Sequence, residues 1–145
     1  MWRLLIIVGI AGFAACGGGH HHGPNRADDP SRLYVEVFAD RDVLRHTAMV
    51  VLQRVRYVTT TNHNGDLELQ IEVPQLDTHR GKTTCRVKIL ALRLPQHDLL
   101  AVADAGGRTN GSSDVDRDHC LSVTTETLVR GKVRALLDRR LRDKR

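Results

Sequence analysis

Leu67-Glu68-Leu69-Gln70-Ile71-Glu72-Val73 decides the fold, because apolar and polar residues alternate in it without exception. Successive side chains of a β-strand point to opposite faces of its sheet, so the alternation predicts a strand with one buried and one wet face. Pro74 is predicted to end this strand, since proline cannot donate to a ladder. The chain therefore contains a sheet that needs a covering layer on one face.

Further strands are predicted on both sides of this stretch. Residues 83–94 repeat the alternation, and a turn over residues 95–98 leads into another strand over residues 99–105. Residues 33–38 and 55–61 are short and rich in β-branched residues, which is also typical of strands. Opposite charges on the wet faces are expected to pair across neighbouring strands.

Two amphipathic helices are predicted to cover the sheet. The first is capped by Asp40 and covers residues 41–54, and the second covers residues 118–141 after a loop over residues 106–113. Apolar residues recur at helical spacing in both, at Leu44, Ala48, Val51, Leu52 and Val55 in the first and at Val129, Val133, Leu136 and Leu137 in the second.

The predicted elements follow the order β-α-(β)-β-β-β-α. This order indicates an α+β fold, a two-layer sandwich in which an antiparallel sheet of four or five strands packs on two helices. Residues 33–145 are predicted to form this single domain.

The beginning of the chain predicts export. Residues 4–15 form an apolar run of 12 residues after Arg3. A helix that crosses the ~30 Å hydrocarbon core of a bilayer needs ~20 apolar residues, so the run is too short to span it. Small residues lie just before Cys16, and the stretch is typical of a signal peptide, which is predicted over residues 1–15.

Ala14-Ala15-Cys16 resembles the lipobox of bacterial lipoprotein signal peptides, with Phe13 where the box usually has leucine. The resemblance implies that Cys16 becomes the mature N-terminus and carries acyl chains such as palmitate, which anchor the protein in a membrane. Gly17 follows the cysteine, where an aspartate would imply retention at the inner membrane. The outer membrane of a diderm bacterium, on its periplasmic side, is therefore favoured. The alternative is an ordinary secretory signal cut near Cys16.

Residues 16–32 are predicted to form a flexible tether, because they are rich in glycine and contain almost no apolar residue. His20, His21 and His22 lie within it, and neutral imidazoles are good ligands for zinc, nickel and copper. Adjacent histidines alone do not fix a tetrahedral geometry. A metal-buffering role for this run is the alternative prediction for function.

Cys85 and Cys120 remain as a pair of thiols in a compartment that permits disulfides. A bridge between them would close a loop of about 35 residues and contribute roughly 3.5 to 4 kcal/mol in the chain-entropy description. In the alternative, both are unpaired core residues on a strand and a helix that lie too far apart to bond.

The formal net charge of +5 is concentrated at the end of the chain, where residues 130–145 contain eight Lys or Arg. Arg134, Arg139 and Arg142 lie off the apolar stripe of the last helix and form a candidate surface for an anionic partner. The alternative is a solvated face whose charge suits a helix C-terminus. Export and only five aromatic residues argue against a nucleic-acid partner.

No motif in the sequence predicts catalysis or a cofactor. There is no Gly-x-Ser-x-Gly elbow and no phosphate-binding fingerprint after a strand. Asp114, Asp116 and Asp118 alternate like the start of a calcium loop, but His119 and Thr125 occupy positions where such a loop has glycine and glutamate. The prediction is therefore a protein that is not an enzyme, with no catalytic residue and no cofactor.

The element order over residues 33–141 resembles the small periplasmic-facing lipoprotein domains that assist envelope assembly. This resemblance implies a non-enzymatic binding or assembly accessory module whose partner is an envelope protein or polymer. It rests on element order and contains no motif, so it assigns no binding residue.

Overall fold

The computed structural model describes residues 31–55, 57–60 and 65–145. The predicted signal peptide, Cys16 and the histidine run His20–His22 lie outside the described residues. The elements are β1 (Tyr34–Ala39), α1 (Asp42–Arg54), β2 (Val58–Thr60), β3 (Leu67–His79), β4 (Lys82–Arg93), β5 (Asp98–Asn110), α2 (Asp114–Leu128), a π-helical turn (Val129–Val133) and α3 (Arg134–Lys144). No described helix is both long and apolar enough to cross a membrane.

The five strands form one sheet in the order β2-β1-β3-β4-β5. The predicted α+β class and element order are confirmed. The prediction of an antiparallel sheet is wrong at β1, which runs parallel to both β2 and β3, whereas β3, β4 and β5 are antiparallel neighbours. The reason is the α1 crossover, since a helix between two strands of one sheet returns the chain in its original direction. The sheet is therefore mixed.

Two of the strands are longer than the sequence pattern predicts. β3 continues past Pro74 to His79, because the register with β4 shifts between Glu72 and Gln75 and this irregularity accommodates the proline. β5 continues to Asn110, so the prediction of a loop over residues 106–113 is wrong for most of that range. Two residues with positive φ, Arg80 and Gly81, connect β3 to β4, as expected for a two-residue hairpin turn.

The core lies between the sheet and the helices. Four residues of the predicted α1 stripe are buried, as are Val129, Val133 and Leu137 at the end of the chain, whereas the predicted stripe residues Val55 and Leu136 are half-buried. Alternate residues of β3 and β4, such as Leu69, Ile71, Val87 and Ile89, meet these helices with almost no exposed surface. One face of the sheet is covered, and the predicted two-layer arrangement follows from this.

A disulfide joins the sheet to the helical layer. Cys85 on β4 and Cys120 on α2 are bonded, with their Cα atoms 6.2 Å apart. The Thr124 hydroxyl oxygen lies 3.4 Å from the Cys85 sulfur. A Cβ added to Gly107 of β5 would collide with the Thr124 hydroxyl and contact both sulfurs, so glycine is required where β5 passes this bond.

Both predicted helix starts are shifted. α1 begins at Asp42, and its cap position is Arg41 rather than Asp40. α2 begins at Asp114, four residues before the predicted start, because Ser113 and Asp116 form a capping box. Hydrogen bonds from the Ser113 hydroxyl and backbone N–H hold the pKa of the Asp116 carboxyl below its usual value. Asp114 and Asp116 of the calcium-like stretch thus lie in the first turn of a helix, and Asp118 follows in the next turn.

Candidate functional site

The sheet face opposite the helices, called the open face here, contains charged pairs between neighbouring strands. Lys88 Nζ on β4 lies 3.2 Å from a carboxylate oxygen of Glu72 on β3. The Arg86 guanidinium of β4 pairs with Asp104 of β5, and this hydrogen bond lowers the pKa of the Asp104 carboxyl. The predicted cross-strand pairing of opposite charges is confirmed.

Two glutamates of the open face are buried. Glu36 on β1 and Glu68 on β3 are register partners and are 2% and 6% exposed. Glu36 accepts a hydrogen bond of 2.9 Å from the Gly65 N–H. Glu68 accepts one of 2.5 Å from the Gln70 amide, and its other oxygen lies 3.4 Å from Nδ1 of His97. The expectation that Glu68 lies on a wet surface is therefore wrong.

A cavity of about 570 Å³ lies beside these glutamates and is also lined by Phe38, Asp42 and Arg45. Its carboxylates can accept hydrogen bonds. Its lining contains the carboxylates of Glu36, Asp40, Asp42, Glu68 and Glu72 and, among the described residues, no Ser, Cys, Lys or His. Within residues 31–55, 57–60 and 65–145, no group of three or more His, Cys, Asp or Glu could hold a metal ion.

The second candidate surface is β5, which forms one edge of the sheet over 13 residues. Leu99 and Val102 of this strand are 58% and 52% exposed. Lys132 Nζ donates a 3.2 Å hydrogen bond to the Asp104 carbonyl oxygen. This contact shows that the backbone of Asp104 points out of the sheet, and by the period of two the backbone groups of Val102, Gly106 and Arg108 do the same.

The third candidate surface is the basic side of α3. Arg134, Arg139 and Arg142, the predicted partner-binding residues, are all exposed. Arg134 lies 3.8 Å from the Asp138 carboxylate, which also accepts a hydrogen bond from the Tyr57 hydroxyl. Burial, followed by this hydrogen bond, raises the pKa of Tyr57 above its ordinary value of 10.0. The structure therefore places the three arginines on one helix, with Arg134 held partly in an internal network.

Asp66 organises one end of the molecule, where β1, β3, β4 and α3 meet. Its carboxylate accepts hydrogen bonds from the Tyr34 N–H at 2.9 Å and from Lys144 Nζ at 2.8 Å. Its backbone N–H donates to the Tyr34 carbonyl, and its carbonyl accepts from the Leu94 N–H. Lys144 also donates to the Arg32 carbonyl at 3.1 Å. We call this end, comprising Arg32, Leu33, Asp66, Arg93 and Lys144, the tether pole.

Sequence reasoning missed both the buried glutamate pair and the tether pole. The only local signal near Asp66 is the turn chemistry of the preceding residues 62–65. The predicted lipidation site Cys16 and the metal-binding run His20–His22 lie outside the described residues, so both stay predictions. The predicted disulfide partners are brought together, as described above.

Comparison with known proteins identifies related folds only. No family model and no curated protein matches the sequence. Protein XCC0632 of Xanthomonas campestris, of the DUF330 family, matches with a TM-score of 0.53 at 12% identity, over 68% of this chain and 82% of that one. A predicted lipoprotein of Caulobacter crescentus CB15 matches with a TM-score of 0.50 at 13% identity, over 83% of this chain and 96% of that one. The chain has the fold of these two proteins.

Proposed function

We propose that this chain is a non-enzymatic lipoprotein of the bacterial envelope. Cys16 would carry the acyl chains, and the folded part would face the periplasm from the outer membrane. The lipobox-like Ala14-Ala15-Cys16 supports the anchor. The fold shared with a predicted lipoprotein of Caulobacter crescentus is consistent with it.

The proposed activity is binding of an extended segment of an envelope protein along β5. The observation that carries this proposal is the 13-residue edge itself, which presents outward backbone groups next to exposed apolar side chains. An edge of this kind is a template for an added strand. In such complexes, main-chain hydrogen bonds supply affinity and contacts with alternate side chains supply specificity.

The chemistry of the partner segment follows from β5. A strand added beside Leu99 and Val102 would place alternate side chains over the open face, where Leu90 and Leu92 of β4 also point. Apolar residues are favoured there, and polar ones are favoured on the neighbouring stretch near the Arg86–Asp104 pair. The expected partner segment is therefore extended and partly apolar.

Catalysis is not part of the proposal. The buried glutamates already accept hydrogen bonds from Gly65 and Gln70, and the described lining of the neighbouring cavity contains no Ser, Cys, Lys or His. These contacts support a structural role for Glu36 and Glu68, since buried carboxylates need partners of this kind.

The anchor is tested by the intact mass of the protein purified from membranes. The expected species begins at Cys16 and is heavier than the bare chain by its acyl groups. A species that retains Met1, or one with an unmodified thiol at residue 16, contradicts the lipoprotein assignment.

The binding surface is tested by photocrosslinking in the native cell. A photoreactive amino acid replaces Val102 on β5 or, as the matched control, Val123 on α2, which is 49% exposed in the helical layer. We expect a discrete protein adduct from position 102 and none from position 123. Leu99→Asp should reduce the adduct at position 102, because a charge then replaces the apolar contact. Equal adducts from both positions, or none from position 102, would exclude the edge as the binding surface.

A further inference from the structure

The end of α3 lies where the predicted tether enters the fold. Lys144 Nζ is bonded to the carbonyl of Arg32, the residue just before the folded part begins, and to Asp66. Sixteen residues separate Cys16 from Leu33. Even fully extended, a chain of that length spans at most roughly 55 Å. In a lipid-anchored protein the tether pole is therefore the part of the fold that is tied closest to the bilayer.

A cleft of about 200 Å³ opens at this pole. Three cationic side chains line it, from Arg93 on β4 and from Arg140 and Lys144 on α3, together with the carboxylates of Asp66 and Asp143. The Asp66 carboxylate is occupied by Lys144 and the Tyr34 N–H. Arg32 and Arg145 are sequence neighbours of lining residues and add further positive charge. The lining of the cleft thus has one more positive than negative side chain, and it lies at the end of the fold that contains Arg32.

Arg140 carries the most specific sign of a missing ligand. Its Nε is buried, yet within the described part of the chain it has no hydrogen-bond partner. Buried donors of this type are almost always paired, and an unpaired one in a native structure calls for a bound ion, water or ligand. A guanidinium matches the geometry of a phosphate with two parallel hydrogen bonds.

We propose that this cleft binds the phosphate of an anionic phospholipid in the membrane that anchors the chain. The inference rests on the proposed lipid anchor and adds a second contact with the same bilayer. Basic side chains near an anionic surface each favour the bound state. The headgroup contact would fix the orientation of the domain, so that β3 and β4 extend away from the membrane and β5 remains open to its partner.

Hydrogen exchange on the full chain, bound through its own N-terminal segment to vesicles, tests the proposal. Three conditions are compared: phosphatidylcholine vesicles, the same vesicles with one part in three phosphatidylglycerol, and phosphatidylcholine vesicles with added inorganic phosphate. We expect exchange at the tether pole and in the last turn of α3 to slow about fivefold with phosphatidylglycerol only. Arg140→Gln should abolish the slowing, and Arg140→Lys should retain part of it.

Arg130→Gln is the matched control, since it removes the same charge from the same helical segment at an exposed position that pairs with Glu126. It lies ten residues from Arg140, a distance of about 15 Å along a helix. This variant should keep the slowing. If both variants lose the slowing equally, the slowing depends on net charge alone, and this result would contradict a specific headgroup site. Equal slowing with inorganic phosphate would show that the cleft binds soluble anions and not a lipid headgroup. No slowing under any condition would contradict the proposed site.

These outcomes are independent of the β5 crosslinks and of the mass at Cys16. If Arg140→Gln fails to fold, as judged by its thermal unfolding, Arg93→Gln gives the same comparison from the strand side of the cleft. Failure of the headgroup site would leave the lipid anchor and the edge-binding proposal standing.

Discussion

The two faces of this sheet are built from alternate residues of the same strands, yet they differ in almost every physical respect. The helix face is apolar, nearly without exposed surface, and bonded to α2 through the disulfide between Cys85 and Cys120. The open face consists of ion pairs, buried glutamates and exposed apolar residues near β5. Stability is thus concentrated on one side of the sheet, whereas the proposed binding edge borders the other side.

The largest expected difference between the faces is in the free energy of unfolding, and it is tested at Cys85 and Arg86, two consecutive residues of β4. Replacing both cysteines, Cys85→Ala with Cys120→Ala, should lower the free energy of unfolding by roughly 4 kcal/mol, because the bridge closes a long loop. Arg86→Ala, on the open face, should change it little, since an exposed ion pair contributes little. Guanidinium denaturation measures both. If the double variant is as stable as the parent chain, the disulfide does not make the helix face more stabilising than the open face.

Two adjacent glycines of β5 give a second comparison at the level of packing. Gly107→Ala should destabilise the fold by about 1 to 3 kcal/mol, because its methyl group would overpack against Thr124 and the disulfide. Gly106→Ala meets only the Cys85 carbonyl oxygen, at an ordinary contact distance of 3.7 Å, and should be nearly neutral. Thermal unfolding of the two variants checks this order. A neutral Gly107→Ala would show that β5 does not pack tightly on α2.

The smallest expected effect concerns Tyr57, which lies between α1 and β2 and donates a hydrogen bond to Asp138 on α3. Because the folded protein raises the pKa of Tyr57, the unfolded chain releases the phenolic proton first, near its ordinary value of 10.0. The contribution to stability is complete below that pH and is lost as the pH rises above it. Tyr57→Phe should cost about 1 kcal/mol at neutral pH and should show a shallower alkaline decline. Urea denaturation at neutral pH and above pH 10.0 measures both slopes, and equal slopes would contradict this role of Tyr57.

The local patterns of the sequence predict the layers but not the connections between strands. The alternation over residues 67–73 and the stripe of α1 depend only on which face of an element is buried, and both are confirmed. The predictions of a strand end at Pro74 and of a loop at Gly106 and Gly107 are wrong, because the roles of these residues depend on a neighbouring strand and on α2. The parallel direction of β1 is likewise a property of the crossover through α1.

For the candidate sites as well, the sequence predicts local features but not the contacts between distant elements. Charge clustering at the end of the chain identifies α3 as a basic segment. The sequence does not show that Arg140 lines the same cleft as Arg93 from β4. The thiols of Cys85 and Cys120 could be named as a pair, but the distance between them is set by how α2 packs on the sheet. His97, from a turn far along the chain, lies 3.4 Å from Glu68, and no local pattern predicts this proximity.

The length of β3 separates the tether pole from the opposite end of the molecule. Its 13 residues run from the tether pole at Leu67 to the hairpin turn after His79. At the usual rise per residue this is a span of roughly 40 Å. In the proposed orientation on a membrane, an antibody epitope inserted between Arg80 and Gly81 would lie far above the lipid headgroups, and a quencher dissolved in the acyl layer should leave a dye at that tip unaffected.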